Sequence, residues 1–263
     1  MYELKALVFD VDGTLADTER DGHRVAFNLA FAEAGLDWNW SIELYGELLA
    51  VTGGKERIRF YLQRHHPGFR PPGGEGLDAF IAGLHAAKTR HFTRMLAEGR
   101  LPLRPGVARL LGEAREAGLR LAIATTTTPA NVEALLVHTL GADAPGWFDA
   151  ISAGDAVPAK KPAADIYHHA LEALGLPAAA CLAFEDSAHG LAAARGAGLE
   201  TVITVNDYTR GQDFTGALLV VDHLGEPGRP MTVLAGDAGG AAMVDVPLLR
   251  RLHARAQGLE RTA

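Results

Sequence analysis

The sequence feature that most constrains this chain is a short apolar run ending in two carboxylates, Asp10 and Asp12, followed by Gly13. The residues Leu7 to Phe9 favour a buried β-strand that delivers Asp10 at its carboxyl end. In an extended backbone, side chains two residues apart point to the same side. Carboxylates crowded in this way repel each other unless a cation or a shared proton lies between them. The stretch therefore predicts a divalent metal site, an acid–base pair, or both.

Composition limits the classes of protein that the chain can be. With 263 residues, 48% of them hydrophobic, it can bury one large core or two modest ones. Its formal net charge of -7 argues against nucleic-acid binding. The single cysteine, Cys181, excludes an internal disulfide and has the apolar neighbours of a buried strand thiol. We expect no signal peptide, no membrane segment and a cytoplasmic protein.

The region from residue 16 to 96 has helical periodicity and little strand signal. Apolar residues recur at helical spacing from Gly22 to Ala34, from Ile42 to Leu49 and again after Phe80, and a loop rich in proline and glycine spans His65 to Gly76. A helical block that follows a first strand is most simply a small bundle inserted into another fold. We therefore predict a helical cap at residues 16–96 and a core made of residues 1–15 and 97–263.

From residue 101 onward, strands alternate with helices. The predicted strands cover Arg120 to Thr125, Phe148 to Ala153, Cys181 to Phe184 and Thr201 to Val205. This alternation is typical of βαβ units, and it predicts an α/β core with a Rossmann-like, doubly wound parallel sheet. Ligands of such sheets bind beyond the carboxyl ends of the strands.

Polar side chains of several kinds fall at those predicted strand ends. Thr125 follows the second strand, the pair Glu185 and Asp186 follows the fourth, and Lys161 precedes a helix. Each has an ordinary alternative: Thr125 could only cap a helix, Lys161 could be a solvated surface residue, and Glu185-Asp186 could belong to a capping sequence. Together they supply every group that metal-assisted phosphoryl transfer needs.

The order and spacing of these residues resemble the four sequence motifs of the haloacid dehalogenase superfamily, which has the fold predicted above and a cap inserted after the first motif. The chemistry and the resemblance imply the same roles. Asp10 is expected to be the nucleophile that forms an aspartyl-phosphate, and Asp12 the general acid and base. Mg²⁺ is expected to be held by Asp10, the main-chain carbonyl of Asp12 and Asp186, with Glu185 nearby. The expected ligands of the phosphoryl oxygens are Thr125, Thr126 and Lys161.

The predicted cap contains a stretch, Gly53-Gly54-Lys55-Glu56-Arg57, that invites comparison with a phosphate-binding P-loop. The P-loop motif needs a glycine five positions before Gly54, where Leu49 stands, and a serine or threonine after its lysine. We therefore reject a P-loop. A glycine-rich break between helices that presents Lys55 and Arg57 can still grip an anionic group, although an exposed charged cluster is an equal alternative for Arg57.

The resemblance narrows at Asp17-Thr18-Glu19-Arg20, Trp38, Trp40, Tyr45, Val51 to Ile58, Lys88-Thr89, Leu103 to Val107 and Val221 to Gly225. At these positions the chain is similar to the CbbY group of sugar-bisphosphate phosphatases. That group removes a phosphate from xylulose-1,5-bisphosphate, an inhibitor of Rubisco, which implies a functional link to Rubisco without direct contact. The resemblance implies that Lys55 and Lys88 hold the second phosphate, that Glu19 and His23 contact sugar hydroxyls, and that Thr127 lines the same space. We expect a monomer.

Three other functions are compatible with parts of the sequence. A sugar-phosphate mutase of the β-phosphoglucomutase type shares the predicted strand-end chemistry and resembles the chain at His23 and Lys88, but not around Gly53 to Arg57. A phosphoglycolate phosphatase is a second alternative. A non-catalytic binding module is a third, and the complete set of acidic, hydroxyl and lysine side chains argues against it.

Overall fold

A computed structural model describes residues 2–51 and 53–258, so that Thr52, which lies in one of the stretches quoted above, is outside the described residues. The chain forms two compact units. One comprises the residues up to Asp17 and those from Pro102 onward, and the other comprises Thr18–Leu101. The boundaries lie slightly later than the predicted ones. Ala16 forms an antiparallel bridge with Leu103, so the residues just before and just after the helical segment both belong to the first unit.

The first unit is built on one seven-stranded sheet. The strands are β1 (Ala6–Phe9), β2 (Arg120–Ala124), β3 (Ala150–Ser152), β4 (Cys181–Glu185), β5 (Glu200–Thr204), β6 (Leu219–Val221) and β7 (Val233–Gly236). Their order in the sheet is β3-β2-β1-β4-β5-β6-β7, and every strand is parallel to its neighbours except β7, which is antiparallel to β6. β1 lies between β2 and β4, and all four of its residues are buried, as in a central strand of a parallel sheet whose two faces are covered. This burial explains its continuous apolar sequence.

The second unit contains helices and loops and, among its described residues, no strand, as the periodicity of residues 16–96 predicts. Its α-helices are α1 (Arg24–Glu33), α2 (Ile42–Leu48), α3 (Gly54–His65) and α4 (Leu77–Ala97), and a π-helical turn over Thr18–His23 precedes α1. An aromatic cluster fills its centre. The ring of Trp40 is fully buried and lies 4.7 Å from Phe27 and 4.8 Å from Phe31, measured between ring centroids. This small unit therefore has a core of its own.

The remaining helices belong to the first unit. They are α5 (Val107–Glu116), α6 (Pro129–Leu140), α7 (Asp165–Leu174), α8 (Ala188–Gly196) and α9 (Val246–Ala256). Two caps hold the loops after strands in place: Thr128 accepts a hydrogen bond at the start of α6, and Ser187 does so at the start of α8. Within the described chain, no helix is both long and apolar enough to cross a membrane.

The sheet topology confirms the predicted α/β class and shows where a ligand can bind. β1 lies between β2 and β4, so the strand order reverses direction at β1. Phe9, the last residue of β1, pairs with Ile123 on one side and Phe184 on the other. The residues that follow these strands therefore come together at one edge of the sheet.

Candidate functional site

Asp10, Lys161 and Glu185 form the centre of the site at this edge. The ammonium of Lys161 donates hydrogen bonds of 2.7 Å to Asp10 Oδ1 and 2.6 Å to Glu185 Oε1, and a third of 2.9 Å to the carbonyl of Ala124. The side chains of Lys161 and Asp10 are each only 9% exposed, and that of Glu185 is 1% exposed. Lys161 is therefore a buried ion-pair partner of two acids, and the alternative that it is a solvated surface residue is wrong.

Asp186 completes a cluster of acids beside this centre. One carboxylate oxygen from each of Asp10, Glu185 and Asp186 lies within 4.8 Å of the others. Asn206, which follows β5, donates a 2.7 Å hydrogen bond to Asp186 Oδ2. Gly13 has a φ of +86°, and a methyl group added there would overlap the carboxylate of Asp186. The backbone after β1 thus packs directly against this acid.

The electrostatics of the acids fit a divalent cation. Burial raises the pKa of Glu185 to about 7, although the ammonium of Lys161 opposes the shift. Burial, and then the charges of Asp10 and Glu185, raise the pKa of Asp186 well above its usual value. For Lys161, burial disfavours the charge, but Asp10 and Glu185 outweigh it and raise its pKa. The charges of Lys161 on Glu185 and of Arg104 on Asp186 oppose these upward pKa shifts without cancelling them. A hard cation such as Mg²⁺ prefers this all-oxygen set of ligands.

Asp12 lies in the tight turn that follows β1. The N–H of Gly13 donates to the carbonyl of Ala16 at 2.8 Å, and that of Leu15 donates to the carbonyl of Val11 at 2.9 Å. Asp12 is half-buried. The turn exists because Gly13 can adopt a positive φ.

Thr125 is fully buried directly after β2, next to the carbonyl that Lys161 binds. Its hydroxyl accepts a hydrogen bond of 3.3 Å from the N–H of Thr127. The cap of α6 is Thr128 rather than Thr125, so the capping alternative for Thr125 is wrong. Thr126 is exposed, and Thr127 is half-buried.

In the helical unit, Glu19, Tyr45 and Arg57 form a polar chain. The hydroxyl of Tyr45 donates to Glu19 Oε2 at 2.6 Å and accepts from Arg57 Nη1 at 2.7 Å. Arg57 also donates to the carbonyls of Leu48, at 3.2 Å, and Val51. Arg57 is buried, so the alternative of an exposed charged cluster fails for this residue.

His23 and Lys88 form a second polar pair in the same unit. Lys88 is buried, and its ammonium lies 2.9 Å from His23 Nδ1 and about 5 Å from the ring centroids of Phe27 and Phe92. Burial lowers the pKa of His23 to about 3, with Glu19 opposing the shift and Lys88 supporting it. His23 is thus neutral, and its Nδ1 accepts a hydrogen bond from the Lys88 ammonium.

The sequence predicts that the stretch from Gly53 to Arg57 is a break between helices, but only Gly53 lies outside a helix. α3 begins at Gly54, so Lys55 and Arg57 lie in its first turns. Gly53 has a φ of +95°, and a methyl group at Gly54 would come 2.5 Å from the ring of His85. Lys55 is exposed, and we find no hydrogen bond or ion pair to its side chain from the part of the chain that the structure describes.

Three side chains at the sheet edge were missed by sequence reasoning. The hydroxyl of Tyr167 donates to Glu185 Oε1 at 2.6 Å, yet in sequence it is one of several core-facing residues of α7. Asn206 follows β5, and the strand-end rule used for Thr125 could have found it. The third is Arg104, which donates to the carbonyl of Gly13 and has no periodic signal in the sequence.

Comparison with known proteins identifies the family. Residues 4–198, well over half of the chain, match the model of the haloacid dehalogenase-like hydrolases. The chain belongs to this family. The plasmid-encoded CbbY protein of Cupriavidus necator is 54% identical over 228 residues, which is 87% of this chain and 89% of that protein. The hydrolase described here is therefore an enzyme of the CbbY type.

Solved structures agree with this assignment of the hydrolase. The crystal structure of CbbY from Rhodobacter sphaeroides in complex with phosphate has a TM-score of 0.69 and 50% identity, and it covers 84% of this chain and 94% of that one. A mutant of the same protein, crystallised with xylulose-1,5-bisphosphate, has a TM-score of 0.69, 49% identity and the same coverage, 84% and 94%.

Proposed function

We propose that this hydrolase is a Mg²⁺-dependent phosphatase that removes a phosphate from xylulose-1,5-bisphosphate through a covalent intermediate on Asp10. The observation that carries the proposal is the buried cluster of Asp10, Glu185 and Asp186 with Lys161 hydrogen-bonded to two of its members. The similarity to CbbY proteins, one of them crystallised with that bisphosphate, supports the choice of substrate.

In the proposed reaction, a carboxylate oxygen of Asp10 attacks the phosphorus atom, and the bond between phosphorus and the sugar oxygen breaks. Asp12 gives its proton to the leaving sugar oxygen. Asp12 then accepts a proton from a water molecule as that water attacks the phosphorus of the aspartyl-phosphate. Inorganic phosphate leaves, and Asp10 is regenerated. Thr125, Thr126 and Lys161 are proposed to bind the phosphoryl oxygens during both steps.

Mg²⁺ would be held by Asp10, Asp186 and the main-chain carbonyl of Asp12, with Glu185 close by. When bound, the ion supplies the positive charge that phosphoryl oxygens need as the bond to phosphorus breaks. The buried, all-oxygen cluster and the raised pKa of Asp186, described above, support this part of the proposal.

Specificity for a bisphosphate is proposed to come from the helical unit. Lys55 is the strongest candidate for the second phosphate, because it is exposed while Arg57 and Lys88 are buried with partners. Glu19 and the neutral His23 are proposed to contact sugar hydroxyls, with Gly53, Gly54 and Thr127 lining the site. We propose that its role in the cell is to remove an inhibitor of Rubisco. We also propose that the protein is cytoplasmic and monomeric.

The test is a phosphate-release screen over pentulose and hexose mono- and bisphosphates, with and without Mg²⁺. We expect stoichiometric release from xylulose-1,5-bisphosphate, and a higher kcat/KM on it than on the monophosphates, only when Mg²⁺ is present. Conversion of glucose 1-phosphate to glucose 6-phosphate without phosphate release would instead indicate a mutase. A preference for phosphoglycolate would contradict the proposed substrate, and no turnover at all would leave a binding module.

A further inference from the structure

Arg104 is a buried arginine that binds several backbone carbonyls of the first unit at once. Its side chain is 6% exposed. The guanidinium donates to the carbonyl of Gly13, to that of Thr204 at 2.9 Å, to that of Val205 at 2.6 Å and to that of Asp222 at 2.9 Å. The planar, five-donor guanidinium suits such a cluster of acceptors, which a lysine ammonium does not match.

These acceptors lie at the edge of the sheet that carries the site. Gly13 is in the turn after β1, Thr204 is the last residue of β5, and Asp222 follows β6. The Nε of Arg104 also lies 3.3 Å from Asp17 Oδ1. Arg104 therefore connects the turn after β1 to the ends of two strands that contribute none of the proposed catalytic groups.

The turn that Arg104 holds is in contact with Asp186. A methyl group placed on Gly13 would overlap Asp186 Oδ2 and lie 2.7 Å from Asn206 Nδ2, so the Gly13 backbone packs against the pair. The same oxygen, Asp186 Oδ2, accepts the 2.7 Å hydrogen bond from Asn206. A shift of the Gly13 peptide would therefore free Asp186 to move.

We propose that Arg104 is a positioning residue for metal binding: its guanidinium fixes the Gly13 peptide, and this peptide in turn holds the Asp186 carboxylate in place. The proposal rests on the proposed function, because it takes Asp186 as a ligand of Mg²⁺. Arg104 itself touches neither the substrate nor the ion. Residues that orient metal ligands typically change metal affinity by about 10- to 100-fold when they are replaced.

Arg109 offers a matched control. It is also a largely buried arginine, with a side chain 14% exposed, and it donates to the carbonyls of Leu224, Gly225 and Val244. The residues that it holds belong to the loop after β6 and the segment before α9. Its replacement should cost stability without reaching Asp186.

The experiment compares Arg104→Lys with Arg109→Lys, because both variants keep the positive charge. Isothermal titration calorimetry with MgCl₂ should show an affinity about tenfold weaker or more for Arg104→Lys and unchanged for Arg109→Lys. The kcat of Arg104→Lys should recover when the Mg²⁺ concentration is raised, a response that general destabilisation does not produce. Equal Mg²⁺ affinities in the two variants would overturn the proposal.

Two further outcomes are informative. If Arg104→Lys does not fold, Thr204→Val removes a hydroxyl that accepts from Arg104 at 2.9 Å, and it should weaken Mg²⁺ binding in the same direction. Unchanged affinity in that variant would also overturn the proposal. If the unmutated protein neither binds Mg²⁺ nor releases phosphate, the proposed function itself has failed. An active, Mg²⁺-binding protein with an unaffected Arg104→Lys variant refutes only the role of Arg104.

Discussion

Replacing Lys161 by methionine removes the ammonium that lies between the carboxylates of Asp10 and Glu185. Both hydrogen bonds are short, 2.7 and 2.6 Å, and all three side chains are at most 9% exposed. Methionine fills a similar volume but leaves the two acids without their cation. Breaking a buried ion pair by removing one partner typically destabilises a protein by about 3–5 kcal/mol. We expect a loss of this size for the metal-free protein at pH 8.

The loss of unfolding free energy caused by Lys161→Met should be smaller at low pH than at high pH. Lys161 opposes the upward shift of the Glu185 pKa, so its removal raises that pKa further. A carboxyl group whose pKa is higher in the folded than in the unfolded state stabilises the fold when protonated. That contribution is lost as the pH rises through the folded-state pKa. Lys161→Met should therefore be closer to the unmutated protein in stability at pH 5 than at pH 8.

Activity gives a second readout of the same change. Loss of one preorganised donor to a reacting group typically costs about 2.7–4 kcal/mol of barrier, or about 10²- to 10³-fold in kcat. The assays are urea unfolding in EDTA at pH 5 and pH 8, and phosphate release with saturating Mg²⁺. Lys160→Met is the control, because Lys160 is exposed and pairs with the fully exposed Asp155. The reasoning is refuted if Lys161→Met and Lys160→Met show the same small losses of unfolding free energy and of kcat.

Three other predictions concern specificity and titration. Lys55→Ala should raise KM for the bisphosphate while p-nitrophenyl phosphate is hydrolysed as before; equal losses on both substrates would remove Lys55 from the second-phosphate site. In NMR titrations the His23 ring should still be neutral at pH 5, because its pKa is about 3, and a midpoint near 6.5 would contradict the buried pairing with Lys88. Mg²⁺ should raise the Tm more at pH 8 than at pH 6, because protons compete with the metal at a cluster where burial raises the pKa of the proposed ligand Asp186 and raises that of its neighbour Glu185 to about 7; a pH-independent rise would argue against metal binding at this cluster.

The sequence was most informative where function and local structure use the same residues. The apolar run before Asp10 and the strand before Glu185 have strong local signals, and parallel topology then brings their ends together. The buried thiol of Cys181 in β4 was correctly predicted for the same reason. The alternation of strands and helices in the sequence thus predicts most of the residues that meet at this edge of the sheet.

Residues that act through distant partners had no such signal. Tyr167 has no functional signal in the sequence, because helical periodicity shows which face of a helix is buried but not that a hydroxyl on it meets Glu185. Arg104 lies 91 positions from the glycine whose carbonyl it binds. The stretch from Gly53 to Arg57 is predicted as a break between helices because two adjacent glycines usually break a helix. Instead, Gly54 is the first residue of α3 and packs closely against His85.

The central claim, that phosphoryl transfer passes through Asp10, is tested most directly by acid-quenching the enzyme during turnover of xylulose-1,5-bisphosphate with Mg²⁺ and analysing its peptides by mass spectrometry. The account predicts the added mass of one phosphoryl group on the peptide that contains Asp10. It also predicts that Asp10→Asn shows neither this adduct nor turnover, while still binding the substrate in the presence of Mg²⁺. Phosphate release that continues in Asp10→Asn, or an adduct on a different residue, would contradict it.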